Sequence, residues 1–387
     1  VFASPPLSGV RVVDLTRLLP GPYATWMLSS LGADVVRVEA PGLGDYSRGF
    51  PPYVHGTSAL FWVINRGKRS IGLDLKSEAG RAVLLRLVAD ADVLVEGFRP
   101  GVLDRLGLDE DTLRAARADL VICRITGYGQ TGPLAADAGH DLNYQALAGT
   151  LWMGGHSGGD PPNPTVPTAD LTGAMHAVIA IQAALLARPS AGGATLDISL
   201  SDAVASLGAP IVAGWTGSGA AAPGRGEDTL TGGVAQYRTY ACKGGGHLAV
   251  GALEPKFWAR FATVAGHPEW AAQMPLPGPH QPELTEQVAA AVAERTRDEW
   301  AEALAGIDCC VTIVLDPAEA AHHPHFAARG VAGAEPSGDQ VAAWTELPFG
   351  APVGGAPELG QHTDELLAEL GLPAEAIAEL RASGAVA

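Results

Sequence analysis

The chain has 387 residues, 47% of them hydrophobic and 17% charged, which favours two well-cored domains and excludes long disorder. Its formal net charge of −17 is uneven: residues 1–130 hold 15 basic and 14 acidic residues, and residues 131–387 hold 10 and 28. That balance excludes nucleic acid as a partner and directs an anionic ligand to the N-terminal third.

Residues 10–15 read as a buried strand, β-branched and without alternation. Pro20-Gly21-Pro22 breaks the chain, 23–31 reads as a helix that Gly32 closes, and 34–39 is a second strand. Strands at 70–75, 92–96 and 120–125 follow, with helices at 78–89 and 109–117. This alternation predicts a doubly wound α/β domain with a parallel sheet. A long apolar helix over 170–189, a strand at 195–200 and a helix from Ser201 come next. Residues 209–228 are rich in Gly, Ala and Pro and read as linker. A second α/β region has strands at 236–241, 247–252 and 310–315 and helices at 255–265, 283–293 and 297–304. A turn and short helix at 357–370 end the pattern.

The first strand–helix turn, Thr16-Arg17-Leu18-Leu19-Pro20-Gly21-Pro22, lacks the Gly-x-Gly-x-x-Gly fingerprint, which disfavours a dinucleotide. No Walker loop, His-Glu-x-x-His or paired Cys-x-x-Cys occurs. Four cysteines in so long a chain, two of them adjacent (Cys309 and Cys310), fit a reduced, cytoplasmic protein. The first ten residues have no basic start and no apolar run, so no signal peptide is expected. The apolar run 174–187 falls short of a membrane span.

Arg37, the group Arg66, Lys68 and Arg69, and Arg99 converge on the carboxyl ends of strands, where a polyphosphate would bind. Solvated surface charge is the plain alternative. His140 lies in a loop after a strand, in Ala138-Gly139-His140-Asp141-Leu142-Asn143-Tyr144. Asp141 and Asp170, at the starts of helical patterns, suit either helix capping or catalysis. Glu254 precedes Pro255 and is a poor cap, which favours a separate role, such as fixing an imidazole. His322-His323-Pro324-His325 has no spacing suited to a metal. His156 sits among glycines in a loop suited to gating.

Several runs together resemble the family III CoA-transferases. They are residues 7–15 and 31–39, Asn65-Arg66-Gly67-Lys68-Arg69-Ser70, Glu96-Gly97-Phe98-Arg99-Pro100-Gly101-Val102 and Gly127-Tyr128-Gly129-Gln130-Thr131-Gly132-Pro133. The 138–144 run and Gly251-Ala252-Leu253-Glu254-Pro255-Lys256-Phe257-Trp258 resemble its racemase branch. Lys256 stands where that branch often has glutamine, and only Gly232-Gly233 and Gly244-Gly245-Gly246 approach the glycine run of the transferase branch. The resemblance implies a Rossmann-like large domain over 1–189, a linker over 190–230, a smaller α/β domain over 231–325, and a return over 326–387 to the large domain. It implies an interlocked homodimer with active sites at subunit interfaces; no membrane partner is expected, from the short apolar run noted above. No metal or separate cofactor is implied, because CoA belongs to the acyl-CoA substrate. Arg37, Arg66, Lys68, Arg69, Arg99 and Gly129 are the residues it implies for CoA.

The implied reaction is inversion at the α-carbon of 2-methylacyl-CoA thioesters by two-base proton transfer through an enolate. His140 and Asp170 exchange the protons, Glu254 orients His140, and Asp141 joins the catalytic group. The alternative within the family is CoA transfer, with Asp170 as nucleophile.

Overall fold

In the computed structural model, which describes residues 4–219, 221–330, 347, 350 and 354–387, six parallel strands build the main sheet. β1 (Arg11–Asp14), β2 (Asp34–Glu39), β3 (Arg69–Gly72), β4 (Val93–Glu96), β5 (Val121–Thr126) and β6 (Ala194–Ser199) stand in the order β3-β2-β1-β4-β5-β6. The connecting helices are α1 (Pro20–Ser30), α2 (Glu78–Ala89), α3 (Glu110–Ala116), α4 (Asp141–Leu147), α5 (Thr168–Ala191) and α6 (Leu200–Ser218). Val13, Val36, Leu94 and Ile122 pack in one cluster with Leu84, Leu87 and Val88 of α2 and Leu113 of α3. α5 packs on α1, β5 and β6. Strands sandwiched between helices need no polar face, which is why their sequences do not alternate. The strand order reverses at β1, so a crevice opens beyond the carboxyl ends of β1 and β4.

A buried charge network lies under that crevice. Asp14, Arg37 and Lys68 have fully buried side chains. Arg37 Nε donates to Glu39 at 2.9 Å, Arg37 also pairs with Asp45, and Arg48 forks onto Glu39 at 2.8 and 2.9 Å. Lys68 Nζ donates to Asp14 at 3.3 Å, the Pro22 carbonyl at 2.9 Å, Thr25 at 2.7 Å and Asn65 at 2.9 Å. Burial pulls the Lys68 ammonium down to about 7, against the opposing attraction of Asp14.

These contacts correct the expected polyphosphate site. Arg37 and Lys68 are consumed inside the protein. Arg69 is tied to Asp34 at 2.6 Å and to Glu365 and Glu369 at 3.1 and 2.7 Å. Arg66 is buried beside the rings of Trp26 and Trp62. Basic residues near strand ends look alike in sequence, whether they face solvent or a neighbouring strand's carboxylate.

The chain divides into two compact units. Unit 1 comprises Val1–Leu147, Val166–Ser206 and Ala321–Ala387, and unit 2 comprises Ala148–Thr165 and Leu207–Ala320. Residues 190–206 are therefore not linker, because β6 is an edge strand of the main sheet. Nor are residues 209–218, since α6 continues through Pro210 to Ser218. Helix α5 is 24 residues long and by length and composition could cross a membrane, which corrects the shorter run expected; a third of its most apolar window is buried in this fold. Within unit 1 the C-terminal residues cover the edge strand β3: His362 N–H donates to Ser70 O at 2.9 Å and Val386 bridges Leu73. Of the expected return segment, 331–346, 348–349 and 351–353 lie outside the described residues.

Unit 2 has an antiparallel sheet of β7 (Tyr237–Ala241), β8 (His247–Gly251) and β9 (Val311–Ile313), with β8 central. Against it pack α7 (Pro255–Ala265), α8 (Gln281–Val292) and α9 (Arg297–Leu304). Trp258, Trp270 and Trp300 fill its core, and the indoles of Trp258 and Trp300 donate to the Trp270 and Val292 carbonyls at 2.6 and 2.9 Å.

The network generates a stability prediction. Arg37→Met leaves Asp14, Glu39 and Asp45 short of a counter-charge in a dry site. Urea unfolding should show a loss of about 3–5 kcal/mol; a loss below about 1 kcal/mol contradicts the network's structural weight.

Candidate active site

Two cavities of unit 1 meet over the crevice. The first, about 700 Å³, is lined by residues that include Arg17, Arg99, Tyr128, His140, Asn143, Tyr144 and Asp170. The second, about 530 Å³, is lined by residues that include Leu15, Val38, Leu73, Lys76 and Val102. Arg17, Gly97, Phe98 and Arg99 line both. The two spaces therefore adjoin, and Arg17 and Arg99 line the waist between them.

Each end of the waist is held from below. Glu96, at the end of β4, is buried and accepts the Phe98 N–H at 2.7 Å. Burial raises the Glu96 carboxyl to about 7, while the Phe98 N–H and Arg124 pull the other way. Leu18 takes a left-handed backbone, φ 65°, and donates its N–H to Asp45 at 3.0 Å. This turn presents Arg17 between the rings of Phe98 and Tyr46, 5.2 and 5.6 Å from their centroids. Neither Arg17 nor Arg99 forms an ion pair among the described residues. Arg17 escaped the sequence reading, which searched its turn only for glycines. Its signal was position: directly beyond β1, at the switch point.

His140 and Asp170 line the same cavity. Packing of α4 on α5 brings them there, His140 just before α4 and Asp170 in the first turn of α5. Asp170 is not the cap of its helix, since that position is Pro167. Asp141 does the capping: its Oδ1 accepts the Ala169 and Asp170 N–H groups at 2.7 and 3.2 Å, and Gln145 donates to its Oδ2 at 2.6 Å. Asp141 is buried and is not among the residues lining the cavity, which corrects its expected catalytic place. It also takes the helix-start donors that the sequence reading had available for an enolate oxygen.

Burial is the main influence on Asp170 and the neighbouring Asp141 charge the second; together they raise its carboxyl to about 7. Near neutrality such a group both accepts and releases a proton.

Gly129 is not among the residues lining either cavity, contrary to its expected role at CoA. Its φ of 82° explains the glycine, and a Cβ there would meet Ser199 at 3.4 Å. Glu254 belongs to unit 2, where it is exposed at the start of α7 and its carboxylate makes no capping bond. His156 lines a separate cavity of about 530 Å³ within unit 2. His323 caps the helix Pro324–Arg329 through its ring, accepting the His325 N–H at 3.2 Å.

Comparison with known proteins agrees with this architecture. The profile of CoA-transferase family III matches residues 7–363. Alpha-methylacyl-CoA racemase of Mus musculus is 36% identical over 97% of this chain and 96% of its own length. Acetyl-CoA:oxalate CoA-transferase of Acetobacter aceti is also 36% identical, over 84% of this chain and 85% of its own. The crystal structure of a CAIB/BAIF family protein from Brucella suis superposes with a TM-score of 0.78 at 31% identity, covering 95% of this chain and all of that one. A cleft at the switch point of a β3-β2-β1-β4-β5-β6 sheet thus coincides with full-length similarity to enzymes of CoA esters, and the chain belongs to CoA-transferase family III.

Proposed function

We propose that this enzyme is a 2-methylacyl-CoA racemase. The observation that carries the reading is an imidazole and a carboxylate raised to about 7 lining one cavity, His140 and Asp170. The nucleotide end of the thioester occupies the smaller cavity, its phosphates meet Arg17 and Arg99 at the waist, and the acyl end reaches His140 and Asp170. Guanidinium forks suit phosphate oxygens, and neither arginine is committed to a protein carboxylate among the described residues.

Neutral His140 removes the proton at C2, and the electron pair moves onto the thioester carbonyl as an enolate. Protonated Asp170 then delivers its proton to the opposite face of C2. The reverse direction starts with Asp170 ionised and ends with His140 neutral. Two different bases on opposite faces invert the centre without turning the substrate over. Glu254, a carboxylate that caps nothing, is kept as a third member of the proposed catalytic group. We also propose self-association as a homodimer; the exposed Met175, Ile179 and Leu186 of α5 support it.

A second reading is CoA transfer with Asp170 as nucleophile. It is favoured by the equal identity to the oxalate transferase and by the place of Asp170 in the cavity wall. Incubating each 2-methylacyl-CoA epimer in D2O separates the two. Racemisation requires both epimers to acquire deuterium at C2 and converge on one mixture. His140→Ala and Asp170→Ala should each slow convergence by about 10²- to 10⁴-fold. Inversion without deuterium, or a hydroxylamine-trapped acyl group on Asp170 with activity surviving His140→Ala, contradicts racemisation.

The raised carboxyl adds a pH prediction. Either direction needs one proton shared between His140 and Asp170, so kcat/KM is bell-shaped with pH and alike for both epimers. Asp141→Asn keeps an oxygen to cap α5 but removes a negative charge. The limb belonging to Asp170 should then move to lower pH, by less than about one unit. An unmoved limb, or one displaced to higher pH, contradicts the assignment of that limb to Asp170 beside Asp141.

A further inference from the structure

The peptide unit that joins Gly139 to His140 is gripped at both ends. Its carbonyl, on Gly139, accepts the Tyr144 hydroxyl at 2.6 Å. Its N–H, on His140, donates to Asn143 Oδ1 at 3.0 Å. Both gripping side chains come from the first turns of α4, the helix that His140 precedes. The His140 carbonyl is fixed as well, accepting the Asn143 N–H at 2.8 Å and the Tyr144 N–H at 3.3 Å. The imidazole therefore leaves a backbone with little freedom to rotate, although the residue itself is exposed.

Tyr144 is itself wedged in place. A Cβ on Gly127 would lie 2.3 Å from its hydroxyl, and a Cβ on Gly139 would lie 2.6 Å from its ring. Those two glycines are thus the room the ring requires, and the edge of Tyr128 closes the site with centroids 5.1 Å apart at 85°. Tyr144 is buried, and burial raises its phenol to about 12, so it is a hydroxyl donor and not a proton shuttle at neutral pH.

We propose that Asn143 and Tyr144 are positioning residues that aim His140 at the α-carbon by clamping the peptide bond before it. This inference rests on the racemase reading. It predicts an asymmetric defect. The clamp acts on His140 and not on the backbone of Asp170, which Asp141 holds separately. Loosening it should slow proton removal from the epimer whose C2 hydrogen faces His140 and spare removal from the epimer whose hydrogen faces Asp170.

The test is deuterium wash-in at C2, measured for each epimer separately in D2O before inversion has accumulated. Tyr144→Phe removes one hydroxyl and keeps the wedge. Its wash-in should fall about 10- to 100-fold for one epimer, carried by kcat with KM little changed, and stay within about twofold for the other. Asn143→Ala should show the same one-sided loss, and Asn143→Asp, which retains an oxygen acceptor for the His140 N–H, should recover most of it. An equal slowing of both epimers, or no change in either, overturns the clamp. If one variant fails to fold, the other carries the same comparison. A wild-type enzyme that exchanges neither epimer overturns the racemase reading instead.

Discussion

Two hydrogen bonds from the Ala169 and Asp170 N–H groups to Asp141 organise the candidate site. They satisfy the first donors of α5, fix α4 against α5, and leave the Asp170 side chain to the cavity wall. The same carboxylate adds a like charge beside Asp170, which together with burial keeps that group near neutrality instead of strongly acidic. One residue thus positions another and, after burial, adds to its proton affinity. A helix start left to bind its own Asp170 side chain would have favoured the anion and lowered its pKa.

The cleft depends on a division of labour among charges. Asp14, Arg37 and Lys68 are buried and pair with one another and with Glu39 and Asp45, which also line the smaller cavity, and this network fixes the turn after β1. Arg17 and Arg99 stand above it, outside any ion pair among the described residues. Carboxylates line both cavities, but among the described residues the ionisable groups that the two share, Arg17 and Arg99, are cationic. An anionic ligand is therefore read from local geometry and not from net charge.

Much of this was legible in the chain. Strands without alternation, interleaved with helices, announced a parallel sheet, and observed bounds such as Asp34–Glu39 and Glu78–Ala89 match the pattern. His140 and Asp170 were visible as polar residues in short, turn-rich contexts, but that they share a cavity is tertiary information. Lys68 and Arg69 misled because their partners Asp14 and Asp34 lie on other strands, tens of residues away, and Arg37 because its side chain turns inward onto Glu39 and Asp45. Asp141 misled because it caps α5 and not the helix it begins. The stretch through Pro210 read as linker because its small residues and proline suit loops, yet α6 tolerates the proline. Arg17 was passed over because its turn was judged by the glycines it lacks.

The most direct measurement is a carboxyl ¹³C NMR titration of ¹³C-aspartate-labelled enzyme, with the Asp170 signal identified by its loss in Asp170→Asn. A midpoint near 7 is the result required by a half-buried acid beside Asp141. A midpoint at the ordinary value of 3.8 would leave Asp170 without a proton to give at neutral pH, and would contradict its part as the acid facing His140.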